Sequence, residues 1–213
     1  MNRSESFTAA VTQLKAILDN PPDKHELRSI VESRAAVLAR YQPLFSLDHI
    51  PELAANEFEG FLLLENNCHW SGLQGKGAAL AADMDRLRGA LGVLLDERQP
   101  LKQRLDILRP AAAAPLLHGL GKSLITAILH IVHPDQYGVY NGTSEAAMEA
   151  VGLLPSFPHS LPLSERYLEV NALLMSLAKE LHVDLWTLDA LWHQVRLKHK
   201  THSEGSWEGD PET

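Results

Sequence analysis

The stretch Gly119-Leu120-Gly121-Lys122-Ser123 carries the clearest chemistry in this sequence. Two glycines one residue apart do not sit together in a stable helix and mark a tight hairpin. Where such a turn feeds a helix, successive backbone N–H groups and the positive end of the helix dipole bind an anion. Lys122 adds a full charge at that point. Gly119, Gly121, Lys122 and Ser123 are therefore expected to hold a phosphate, although a plain tight turn between two core helices explains the same glycines. At Gly121 a β-branched residue is expected to resist the hairpin's backbone angles, so Gly121→Val is expected to do more damage than loss of the Lys122 side chain. Gly121-Lys122-Ser123 also ends like a nucleotide-binding P-loop. Leu116 stands where that motif needs its first glycine, and no strand precedes it.

Three other groups could take part in chemistry. Asp135, Asn141 and Glu145 follow the hairpin helix. Asn141 and Glu145 are one helical turn apart, so an amide and a carboxylate can share a face. A carboxylate can stabilise a cationic transition state and an amide can orient a water; Asn141 equally suits a helix N-cap. Asn66-Asn67-Cys68-His69-Trp70 lies between two helical stretches. Its short amides could bond to a base edge, and His69 or Trp70 could stack on a base. A helix C-cap and a core tryptophan account for the same residues. Trp186, Asp189 and Trp192 recur at helical spacing and could line a pocket or fill a core. His130 and His133 stand at i, i+3 without a converging third ligand, so no metal site is expected, and no cofactor.

The elements that must position these groups are helical throughout. Apolar periodicity predicts helices over 5–19, 26–41, 52–64, 76–95, 101–108, 164–181 and 184–198. The hairpin is expected between a short helical piece in the alanine run bracketed by Pro110 and Pro115 and a central helix from Lys122 that Pro134 ends. A further helix, capped by Asn141 or Thr143, ends at Gly152. Alternating strand patterns and internal repeats are absent. The polar residues from 199 to 213 are expected to be a disordered acidic tail.

Composition narrows the classes. The chain has 213 residues, 45% of them hydrophobic, enough for a real core. Cys68 is the single cysteine, which excludes an intrachain disulfide and a four-cysteine cluster. No apolar run reaches the ~20 residues of a membrane span and no leader-like segment opens the chain, so a cytoplasmic protein without membrane contact is expected. The net charge is −8. The tail from His199 carries −3 of it, which leaves −5 elsewhere. A nucleic-acid face must therefore be a local patch.

A helix, the Gly119–Gly121 hairpin, a second helix and a short loop that carries Asn141 into a new helix resemble the helix-hairpin-helix DNA glycosylase superfamily. The Asn66-Asn67 segment, placed well before the hairpin, resembles the void-filling loop of the eight-oxoguanine branch. The resemblance runs from Phe58 to Lys198. It implies an all-α, two-lobed fold, with an N-terminal helical part over 1–55 and a core over 56–198. It further implies a monomeric enzyme that flips a nucleotide out of double-stranded DNA and hydrolyses its N-glycosidic bond, leaving an abasic site. Asn66 and Asn67 would fill the void. His69, Trp70, Trp186, Asp189 and Trp192 would surround the base, and Asn141, Glu145 and Asp135 would serve the sugar. The family usually has Asp where this chain has Asn141, which points to an unusual substrate. One candidate is a modified cytosine such as the glucosylated hydroxymethylcytosine of phage DNA, removed as antiviral defence. Bifunctional members place a lysine at the position of Ser123. Lys122 lies one residue earlier, about 100° round the helix, which implies a phosphate contact and a monofunctional enzyme. A non-catalytic hairpin module that binds DNA and a helical interaction protein are the rival readings.

Overall fold

The computed structural model describes residues 3–110 and 114–204. Among them there is no strand. The helices are α1 (Arg3–Asp19), α2 (Lys24–Tyr41), α3 (Ala55–Leu62), α4 (Leu64–Asn67), α5 (Gly77–Ala81), α6 (Met84–Leu95), α7 (Leu101–Leu108), α8 (Lys122–Val132), α9 (Gly142–Ala150), α10 (Leu163–Leu181) and α11 (Leu185–Glu204). Among the described residues no helix is long and apolar enough to cross a membrane.

α8 and α11 form the centre. Leu124, Ile125, Ile128, Leu129 and Ile131 of α8 are fully buried, each contributing roughly 1.5–3 kcal/mol of hydrophobic stabilisation. α11 packs on α1, α2, α9 and α10. Its Trp186 is fully buried and donates its indole N–H to the carbonyl of Ile30 at 2.9 Å. Gln194 of α11 accepts from the backbone N–H of Asp23 at 2.7 Å and donates to Glu26 at 3.0 Å, which fixes the start of α2. The buried apolar residues form one cluster that runs from Ala10 to Val195. The core is thus continuous across the boundary expected between 55 and 56.

Several expected boundaries move for identifiable reasons. The helix expected over 76–95 breaks before Met84, because the Asp83 carboxylate accepts the N–H of Arg86 and starts a new helix, α6. The helix expected over 52–64 starts at Ala55, since Pro51 and Glu52 belong to a 3-10 turn. It stops at Leu62, where Leu63 is extended. Around the hairpin, 111–113 of the alanine run lie outside the described residues, and 114–121 contains no helix. Instead the N–H of Leu116 returns to the carbonyl of Leu108 at 2.9 Å. The tail expected to be disordered from 199 is helical in its backbone as far as Glu204; 205–213 lie outside the described residues.

The two hairpin glycines do different jobs. Gly119 has φ +87, and a Cβ there would lie 3.3 Å from Leu80 Cδ2. Gly121 has φ −92 and ψ 176, extended backbone that other residues adopt, and a Cβ there meets nothing closer than 4.0 Å. The conformational demand expected at Gly121 therefore falls on Gly119. Gly119→Ala is expected to lower stability by about 1–2 kcal/mol, the cost of left-handed backbone for a residue with a Cβ. Gly121→Ala is expected to change it by less than about 0.5 kcal/mol. Thermal melting of the two variants checks the contrast, and equal losses would contradict it.

Candidate functional site

The start of α8, the connection into α9 and the proline-rich approach to α10 meet around a cleft of about 380 Å³. Its wall includes Arg109, Lys122, Tyr140, His159, Leu161 and Arg166. The connection from Pro134 to Asn141 is held from both sides. Towards α8, the Thr126 hydroxyl accepts from the Tyr140 N–H at 2.9 Å and donates to the Lys122 carbonyl at 2.9 Å. His130 Nδ1 donates to the Tyr137 carbonyl at 2.7 Å. Towards α10, the Tyr167 hydroxyl donates to the Gly138 carbonyl at 2.8 Å. Asn171 accepts from the Gly138 N–H at 2.7 Å and donates to the Gln136 carbonyl at 2.9 Å. A Cβ on Gly138 would stand 2.5 Å from Leu174 Cδ1 and 3.2 Å from its Cβ, so this backbone lies directly on α10.

That connection sets the register of α9 and brings Glu145 to Lys122, with which it forms an ion pair. The Lys122 ammonium also sits 4.6 Å from the centre of the Tyr140 ring. Burial, followed by the hydrogen bond to Glu145, raises the Tyr140 phenol well above its ordinary range. The phenol therefore stays protonated and donates to the carboxylate. Asn141 caps α9: its Oδ1 accepts the N–H groups of Thr143 at 2.8 Å and Ser144 at 2.9 Å. Its backbone N–H is taken by the Ser144 hydroxyl at 2.9 Å. The carbonyl side of this amide is thus committed to the helix, which leaves its NH₂ group for a ligand or water. Gly121 supplies no side-chain cap to α8. Gly121 and Lys122 line the cleft, so the start of α8 lies at its wall, where the helix dipole favours an anion.

The remaining expected residues lie elsewhere. Ser123 is half-buried in the first turn of α8 and does not line the cleft. Asp135 is largely exposed, pairs with Arg34 at 3.4 Å and follows the far end of α8. That end is about 16 Å from Lys122 at 1.5 Å per residue, so Asp135 is not brought to Asn141 and Glu145. Asn67 is fully buried and donates to the Phe61 carbonyl at 3.0 Å. Its Oδ1 accepts the N–H groups of His69 and Trp70 at 2.9 and 2.6 Å. Asn66 is half-buried, donates to the Gly60 carbonyl at 2.9 Å and accepts from Arg40 at 2.9 Å. Both amides are therefore engaged within the fold, Asn66 by α2 and α3 and Asn67 by α3 and its own loop, and a void-filling role for Asn67 does not fit its burial. Arg109, Tyr140, His159 and Arg166 line the cleft without having been singled out by any motif.

His69, Trp70, Trp186 and Asp189 come together inside the core and away from the cleft wall, and Trp192 is buried in the same core. Asp189 accepts from Trp70 Nε1 at 2.8 Å and lies 3.1 Å from His69 Nε2. His69 stacks on Trp70 at 5.0 Å, and His130 on Trp186 at 5.5 Å. These rings pack on one another within the core. Burial pushes His69 down to about 3 and His130 down to about 4. Burial also pushes Asp189 up to about 7, against the Trp70 hydrogen bond. Among the described residues His69 Nδ1 and His130 Nε2 have no hydrogen-bond partner, as expected of neutral rings that each donate from the other nitrogen.

These shifts give a pH dependence. Below the ordinary histidine value of 6.5, the unfolded chain binds two protons that the fold refuses, so stability falls as pH falls from 6.5 to 4. Asp189 acts oppositely, keeping a proton that the unfolded chain releases near 3.8. Two groups outweigh one. The melting temperature is therefore expected to be lower at pH 5 than at pH 6.5, and His130→Asn should narrow the gap. A flat profile, or an unchanged gap in the variant, would contradict this assignment.

No protein-family model matches this chain, and neither a curated protein nor a solved structure matches it.

Proposed function

We propose that the chain binds double-stranded DNA at the hairpin and hydrolyses the N-glycosidic bond of a modified nucleotide, as a monofunctional enzyme of the helix-hairpin-helix glycosylase type. The observation that supports this is the ion pair that joins Lys122, on the cleft wall at the start of an uncapped helix, to Glu145 in the first turn of α9, the helix that Asn141 caps. The first-turn N–H groups of α8 and Lys122 fit a backbone phosphate. Glu145 and Asn141, one turn apart at the start of α9, fit the sugar that follows it. In the free protein Glu145 and Lys122 neutralise each other. A phosphate competes for Lys122 and turns the Glu145 carboxylate towards the sugar.

The reaction breaks the C1′–N bond and forms a C1′–O bond with water, and the departing base takes up a proton. Glu145 stabilises the positive charge that develops on the sugar and accepts the proton of the attacking water. Asn141 cannot be that base, since an amide does not take a proton and its oxygen is engaged in the cap. Its NH₂ positions the water. Asn141 in place of the usual carboxylate supports a substrate outside the common lesions. A modified cytosine such as glucosylated hydroxymethylcytosine in phage DNA, attacked as antiviral defence, is the reading adopted. The commitment of Asn141 Oδ1 to two N–H groups favours a second reading, a DNA-binding module without catalysis.

Incubation with modified and unmodified duplexes, followed by alkali cleavage at abasic sites, separates the two. Glu145→Gln is expected to slow base release by ~10²–10³ with the fold intact. Lys122→Ala is expected to weaken binding to all sequences alike and to lower the salt slope by about one. Abasic sites formed equally by wild type and Glu145→Gln would remove the carboxylate from the mechanism. DNA binding without base release on any modified duplex would leave the binding module.

A further inference from the structure

Arg109 and Arg166 have no part in the reaction above, yet both stand half-buried on the cleft wall. Arg109 donates to the Leu120 carbonyl at 3.3 Å. Arg166 donates to the carbonyls of Leu161 and His159, each at 2.8 Å. These acceptors are neutral and hold the guanidinium groups in place without cancelling their charge. The nearby carboxylates are engaged elsewhere: Asp106 and Glu165 with Lys102, and Glu145 with Lys122. Among the described residues neither guanidinium has an ion-pair partner. In a protein of net charge −8, two uncompensated arginines on one cleft wall mark a place where a ligand supplies the negative charge.

We propose that the cleft is a binding site for a phosphate monoester of a nucleotide. Such a group carries close to two negative charges above its second pKa near 6, and two guanidinium groups match it. A phosphodiester carries one charge and leaves one arginine uncompensated. The planar fork of arginine suits phosphate oxygens in particular. Gly121 and Pro162, which start α8 and α10, both line the cleft, and neither gives its helix a side-chain cap. The positive ends of the two helix dipoles thus add to the arginines. A volume of about 380 Å³ admits a phosphate with its sugar and is of the size usual for small-ligand sites. The same chemistry arises from a free nucleoside monophosphate or from the phosphorylated end of a broken strand. The site shares Lys122 and Tyr140 with the proposed DNA surface but rests on Arg109 and Arg166, whether or not a base is released.

The test compares ligands that differ only in the monoester, using the unaltered chain. Duplexes nicked to expose a 5′-phosphate or a 5′-hydroxyl form one pair; deoxycytidine 5′-monophosphate and deoxycytidine form the other. Binding of the phosphorylated member of at least one pair is expected to be tighter by about tenfold or more. Preference in the nicked pair assigns the site to strand ends, and preference in the nucleoside pair assigns it to free nucleotides. Either preference should collapse in Arg109→Gln and Arg166→Gln. Equal affinity within both pairs would overturn the proposal. So would a preference that survives in folded Arg109→Gln/Arg166→Gln. Intact modified duplexes present no monoester, so base release from them reports on the glycosylase reading separately.

Discussion

The site depends on how tightly the connection between α8 and α9 is held. Pro134 ends α8, and the next residues have no regular structure to satisfy their backbone groups. Thr126 and His130 take them from one side, Tyr167 and Asn171 from the other. Gly138 lies so close to Leu174 that there is no room for a Cβ. The chain has one way to reach Asn141, and Asn141 has one way to start α9. From that start Glu145 falls opposite Lys122 by helical geometry alone. The ion pair, the phenol that donates to it and the wall of the cleft all follow from those few backbone hydrogen bonds.

Charge is distributed in a way the net value conceals. The chain is acidic overall, yet Arg109, Lys122 and Arg166 line one cleft, and of the three only Lys122 is paired with a carboxylate among the described residues. A local field of this kind attracts an anion even when the whole molecule would repel it. The deep core shows the opposite treatment. His69 and His130 are kept neutral by burial, and Asp189 retains a proton close to neutrality. Packing there is ring on ring, so those groups specify the core, while the charged groups around the hairpin line the cleft.

Much of the fold was legible in the sequence. Helical periodicity placed α7, α8, α9 and α10 to within a residue or so, because each has a sharp start or stop such as Pro100, Gly121, Pro134, Asn141 and Pro162. Boundaries moved where a side chain outcompeted the pattern, as Asp83 did before α6. The site was legible only in part. Asn141 and Glu145 lie one helical turn apart by their spacing alone, whereas Lys122 meets Glu145 only through the folded connection between α8 and α9. Arg109 and Arg166 reach the same cleft from distant segments, so periodicity carried no signal for them. Asn67 and Trp186 illustrate the converse: residues of the right type were claimed by backbone carbonyls inside the fold. Only the packed structure reveals such claims.

The proposed sharing of Lys122 between Glu145 and a DNA phosphate underlies the whole function. It is tested most directly by the affinity of Glu145→Gln for an unmodified duplex at low salt. Removing the carboxylate removes the competitor for Lys122. The variant is therefore expected to bind DNA more tightly than the wild type, with a salt slope at least as steep. Weaker binding by a folded Glu145→Gln, or an affinity indistinguishable from that of the wild type, would contradict the account.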